Sequence, residues 1–210
     1  MKKRSLLTKL FILTTMFSLS QFSYGQNNQY DRYRGSYPWK VNLQYSMIDT
    51  NYSAKEPTSF NELNAASLPK LSLEYYAGHD VSFKLATVKN TVKVGQIVNG
   101  ETVKDKFDVL SVDASVLYSI GGGLNIPVVD PYIETGLGYM NFNGDSKATY
   151  NLGGGVNIWL SDTGLFRTGQ YNRDLLINRF GLNLSAMGKK NLSGGPGSYM
   201  ELSAGVFFVF

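Results

Sequence analysis

Residues Trp39–Met47 alternate without a break. Trp39, Val41, Leu43, Tyr45 and Met47 fall on one face, and Lys40, Asn42, Gln44 and Ser46 on the other. A period of two is the spacing of an extended strand, whose successive side chains point to opposite faces. The pattern returns along the chain. Leu71, Leu73, Tyr75 and Ala77 alternate with Ser72, Glu74 and Tyr76, and Val81, Phe83 and Leu85 with Ser82 and Lys84. Leu110, Val112, Ala114, Val116 and Tyr118 alternate with Ser111, Asp113 and Ser115. Ile133, Thr135, Leu137 and Tyr139 alternate with Glu134, Gly136 and Gly138. Tyr150, Leu152, Val156, Ile158 and Leu160 alternate with Thr149, Asn151, Gly153, Gly155 and Asn157. A weaker segment, Leu165–Tyr171, and the final run Tyr199–Phe210 bring the expected strands to eight.

The connections read as an antiparallel meander. Gly78-His79-Asp80 and Ser161–Gly164 are expected to be tight turns, and residues 121–130 a turn at the same end. Residues 49–68, 88–107 and 172–197 are expected to be long loops at the other end, joined there by 142–147. Within Lys93–Lys104, Asn99-Gly100 is flanked by alternating residues and predicts a protruding hairpin.

The chain opens MKKRSLLTKLFILTTMFSLSQFSYGQ. Lys2, Lys3, Arg4 and Lys9 precede or flank a short apolar run, and Ser23 and Gly25 are small residues at a cleavage position. This order predicts a secretory signal over residues 1–25 and a mature domain over 26–210. Of the 20 Lys+Arg, four lie in that leader, which leaves 16 against 16 Asp+Glu. The mature domain is therefore neutral, and nothing in its charge predicts nucleic-acid binding. The chain has no Cys, so no disulfide framework holds it.

A soluble sandwich hides its apolar face. Here the polar faces carry small residues and isolated charges, and the apolar face continues through nearly every strand. Apolar-out, polar-in alternation in strands of about ten residues is the membrane-barrel signature. Closure follows, because an open edge in lipid leaves backbone groups unpaired. The expected fold is all-β: an eight-stranded antiparallel transmembrane up-and-down β-barrel, integral to a bacterial outer membrane. An even strand count puts both termini on one side, expected to be periplasmic. Trp39, Tyr75, Tyr118, Tyr132, Trp159, Phe166, Phe208 and Phe210 are expected to form an aromatic girdle near the short-turn end. A secreted soluble barrel or sandwich is the alternative.

The last residues, SAGVFFVF, explain themselves on this reading. Ser203, Gly205, Phe208 and Phe210 form a pattern that resembles the C-terminal targeting signal of bacterial outer-membrane proteins. The resemblance implies recognition by the barrel-assembly machinery. PWKVNLQYS, LPKLSLEYYAGHDVSFKLA, LSVDASVLYS, DPYIETGLGYMNFNG and ATYNLGGGVNIWLSDTGLFRTGQY resemble the N-terminal barrel domain of OmpA-like proteins of the Bacteroidetes. The resemblance implies an eight-stranded barrel. OmpA proteins continue into a peptidoglycan-binding domain. The sequence here reaches only Phe210, so that role is not carried over, and by length the expectation is closer to an OmpX-like barrel.

With the polar faces inward, Lys40, Glu74, Lys84, Asp113, Glu134, Arg167 and Glu201 lie in the lumen, one from each of seven strands. An eight-stranded barrel is just wide enough for side chains to fill. Charges there must pair, because an isolated one is costly to desolvate. The expectation is a nearly neutral ion-pair network plugging the lumen, with Gly136, Gly138, Gly153 and Gly155 making room. No catalytic constellation stands out. A lipase or acyltransferase needs a Ser activated by a His, but His79 is the only His and is expected in a short inner turn, away from the outer leaflet. No enzyme activity, cofactor or metal is expected. Arg179 and Lys189-Lys190 read as solvated loop charges that could meet lipopolysaccharide phosphates. The expected function is structural, or that of an accessory subunit in a larger outer-membrane complex; the alternative is a narrow gated porin. Outer-membrane lipid and lipopolysaccharide would be its surroundings.

Overall fold

The structure, a computed structural model, describes residues 38–49, 64–65, 68–98, 101–121, 128–142, 144–162, 179–192 and 198–210. The described residues form eight long strands: β1 (Trp39–Asp49), β2 (Lys70–Gly78), β3 (Val81–Val92), β4 (Phe107–Ser119), β5 (Val129–Phe142), β6 (Asp145–Trp159), β7 (Arg179–Asn191) and β8 (Tyr199–Val209). Each pairs antiparallel with the next, and β8 returns to β1. Lys40 meets Val209 at one end of that seam and Asp49 meets Met200 at the other. Trp39 and Phe210 exchange backbone hydrogen bonds of 3.3 and 3.0 Å at its limit. The result is a closed eight-stranded antiparallel barrel without a free edge in its wall.

Between β2 and β3 the chain reverses in two residues. His79 and Asp80 hold φ of 51° and 62°, the left-handed pair of a hairpin turn whose twist matches its strands. The Asp80 amide donates to the Tyr76 hydroxyl at 3.3 Å. The expected hairpin near Asn99-Gly100 forms as well: Ile97–Val98 pairs with Glu101–Thr102.

Several loop boundaries differ from expectation. Val88–Val92 and Phe107–Ser111 are paired strand, so the connection there is shorter than 88–107. Phe142 pairs with Asp145, so residues 142–147 are mostly strand as well. The largest change is β7. Residues 172–197 were expected to be a loop, yet Arg179–Asn191 pairs with β6 along one edge and β8 along the other. Its alternation is muted by Gly181, Ser185, Ala186 and Gly188, which gives it little apolar contrast to read. The expected strand Leu165–Tyr171 lies outside the described residues.

Outward side chains are large and apolar. On β4 they run Leu110, Val112, Ala114, Val116, Tyr118 and on to Ile120 beyond the strand, all exposed. At about 3.4 Å per residue and about 40° of tilt, that row is about 25 Å tall, the height of a lipid-facing band. At the end where β1 starts and β8 finishes, here the terminus end, Trp39, Tyr75, Tyr118 and Phe210 are exposed as expected of a girdle, with Trp39 and Tyr75 rings 4.8 Å apart. Phe208 is half-buried on the same outer face. Tyr132 and Trp159 do not join them. Both are buried inside, because they share the parity of Glu134 and Asn157 on their own strands. Phe166 lies outside the described residues.

The interior is polar between two apolar closures. Ile48, Val92, Val109, Met140 and Tyr199 cluster at the loop end, with Val103 and Phe107 against them. Trp159, Phe207 and Val209 cluster at the terminus end.

Candidate functional site: the charged lumen

Inward positions place two chains of alternating charge in the barrel. In the first, Lys40 Nζ lies 2.6 Å from Glu74 Oε2. Glu74 stands in register with Lys84 on the next strand, and Lys84 pairs with Glu134 across β4. Ser115 donates to Glu134 Oε1 at 2.6 Å. In the second chain, Lys70 pairs with Glu201, Glu201 Oε2 lies 2.8 Å from Lys189 Nζ, and Lys189 Nζ lies 2.6 Å from Asp113 Oδ2. Each chain holds two cations and two anions. All eight residues are buried. Burial of this kind is tolerable only when charges are paired and their remaining lone pairs satisfied.

Neutral side chains supply the satisfaction. Asn151 Nδ2 donates to Asp113 Oδ1 at 2.8 Å, and Thr149 donates to Asn151 Oδ1 at 2.9 Å. Lys189 donates to the Ser111 hydroxyl at 3.0 Å. Ser203 donates to Glu201 Oε1 at 3.2 Å. Asn183 is the hub of an uncharged group: it accepts from Gln44 at 2.6 Å, donates to Asn157 Oδ1 at 2.7 Å and donates to Tyr132 Oη at 3.0 Å. Two inward glycines make the room. A Cβ on Gly155 would stand 2.6 Å from Tyr132 Oη, and one on Gly138 would stand 2.5 Å from Thr149 Oγ1.

Of the residues expected in the lumen, Lys40, Glu74, Lys84, Asp113, Glu134 and Glu201 all lie there, and each takes part in one of the two charge chains. Arg167 lies outside the described residues. Lys70 and Lys189 were missed. Lys70 shares the parity of Ser72 and Glu74, a signal the sequence did carry. Lys189 and Arg179 are not the solvated loop charges expected of them. Lys189 is buried at the centre of the second chain, and Arg179 is buried with its guanidinium 4.1 Å over the Trp159 ring. Lys190 alone of the three faces outward.

The residues of the expected assembly signal occupy β8. Ser203 faces the lumen, Gly205 pairs with Gln44 and Asn183 on the two flanking strands, and Phe208 and Phe210 face outward.

No protein-family model matches the chain, and no curated protein matches its sequence. Solved structures do resemble its fold. The crystal structure of Neisserial surface protein A (NspA) superposes with a TM-score of 0.50 over 83% of this chain and 97% of that one, at 16% identity. The N-terminal β-barrel domain of Pseudomonas aeruginosa OprF gives 0.47 over 81% and 97%, also at 16% identity. Ail, the attachment invasion locus protein of Yersinia pestis, gives 0.43 over 82% and 97%, at 14% identity. At such identity the NspA likeness speaks for the fold alone: this chain has the closed eight-stranded antiparallel architecture of a small outer-membrane barrel.

Proposed function

We propose that the protein is an integral outer-membrane barrel with its termini on the periplasmic side, and that its role is structural or that of an accessory subunit rather than transport. The observation that carries this is the inverted burial. Leu85, Leu137, Leu152 and Ile133 face outward at 55–61% exposure, while Lys70, Lys189 and Glu201 lie inside at 1–3%. In water that arrangement is unfavourable; in a bilayer it is the expected one. The paired charges and the apolar closures fill the lumen, which supports a plug rather than a channel. On this reading outer-membrane lipid and lipopolysaccharide surround the wall, the barrel-assembly machinery inserts it through β8, and the loop end meets any larger complex.

The test has two parts. Protein extracted from its native membrane in mild detergent should migrate as a heat-modifiable species, and a salt-resistant stoichiometric partner would identify an accessory subunit. Protein reconstituted in planar bilayers should show no steady single-channel current. A steady, large conductance would overturn the plug and make the chain a narrow pore.

A further inference from the structure

The lumen is buried unevenly along its length. At the terminus end Lys40, Glu74, Ser82 and Ser119 keep 7–8% of their surface, while Ser46, Ser111, Thr149, Asn151 and Glu201 keep 0–1%. The gradient follows a cavity of about 40 Å³ at the terminus mouth, bordered by the polar Lys40, Glu74, Ser82 and Ser119 and by the apolar Leu117, Trp159 and Val209. A water molecule needs about 10–15 Å³ measured this way, so the cavity has room for a few. Its walls offer hydroxyls, an ammonium and a carboxylate, the polar partners that water requires. Trp159 and Val209 belong to the apolar cluster of this mouth, so the cavity interrupts that closure. The cluster at the loop mouth is buried more deeply. Ile48, Val92, Val109 and Met140 are buried there with Tyr199, and Val103 and Phe107 lie over them. An apolar constriction of this kind excludes water.

We propose that the lumen is a blind vestibule: water and polar solutes of a few heavy atoms bind at the terminus mouth, and the loop mouth is dry. Such solutes reach the Lys40–Glu74 pair from the terminus side alone. They stop at the Tyr132–Asn183–Gln44 group, whose hydrogen bonds join across the barrel. The proposal goes beyond the membrane role above and does not depend on it, because the route is the same in a detergent micelle as in a vesicle.

The chain has no Cys, so single cysteines report position cleanly. Ser119→Cys and Ser111→Cys lie on one face of β4, at opposite ends. Ser82→Cys and Ser46→Cys form a second pair on β3 and β1. Each variant, folded in micelles and shown to be heat-modifiable, is treated with 2-aminoethyl methanethiosulfonate and followed by mass spectrometry. Ser119→Cys and Ser82→Cys should react at least about tenfold faster than their deep partners. Equal rates within either pair, faster reaction at Ser111→Cys or Ser46→Cys, or no reaction at any site in the folded barrel would overturn the vestibule. A deep variant that fails to fold leaves the other pair to decide.

Discussion

Lys189 and Asp113 meet at 2.6 Å from β7 and β4, strands that share no backbone pairing. Their contact crosses the lumen, so it depends on barrel closure and not on any one hairpin. The same holds for Lys70 and Glu201, which stand on β2 and β8 with β1 between them. The second charge chain thus ties together strands from both halves of the sequence.

Glu201 is the member whose loss should cost most, because it faces both Lys70 and Lys189. Glu201→Leu leaves those two ammoniums buried without the carboxylate between them. The expected loss is about 3–5 kcal/mol, read from urea unfolding in lipid vesicles. A midpoint within error of the wild type would show that the network adds nothing net to stability.

Gly155 and Gly188 separate steric need from mere flexibility. Gly155→Ala places a methyl against the Leu184 carbonyl oxygen and 2.6 Å from Tyr132 Oη, and should cost about 1–3 kcal/mol. Gly188→Ala meets only the Leu152 carbonyl at 3.5 Å and should stay within about 0.5 kcal/mol. The same unfolding assay compares them, and equal effects would remove the argument that Gly155 makes room for Tyr132 and the Leu184 backbone.

Depth in the apolar band should be readable by charge. Leu85 lies in the middle of the outward face of β3, and Thr91 near its loop end. Leu85→Arg should destabilise the bilayer-embedded protein by about 2–4 kcal/mol, and Thr91→Arg by about 0–1 kcal/mol. Similar small costs at both positions would favour a soluble barrel.

Asp108 lies above that band on the loop-end exterior. Hydrogen bonds from Lys89, 2.7 Å away, and from Thr91 hold its carboxyl below the ordinary aspartate range. The folded state therefore binds the Asp108 proton more weakly than the unfolded chain does. The associated stability is present above the unfolded pKa and is lost as pH falls through the folded one. Side-chain carbon NMR should show a titration midpoint for Asp108 that rises in Lys89→Met. An unchanged midpoint would mean that Lys89 does not set it.

The period of two settled much of this protein by itself. It assigned inward and outward faces on β1 to β6 and β8, because the parity of a strand is a local property of extended backbone. It placed six lumen charges, and it contained Lys70 for a reader who extended β2 by one residue. It also contradicted the girdle expected for Tyr132 and Trp159, whose parity points inward. What it could not supply was β7. Gly181, Ser185 and Gly188 give that strand too little apolar contrast, and only pairing with β6 and β8 on its two edges defines it. With β7 hidden, Lys189 looked like a solvated loop charge. Partner choice was hidden for the same physical reason. Which ammonium meets which carboxylate depends on the stagger at which eight strands close, and that is a property of the whole barrel rather than of any segment.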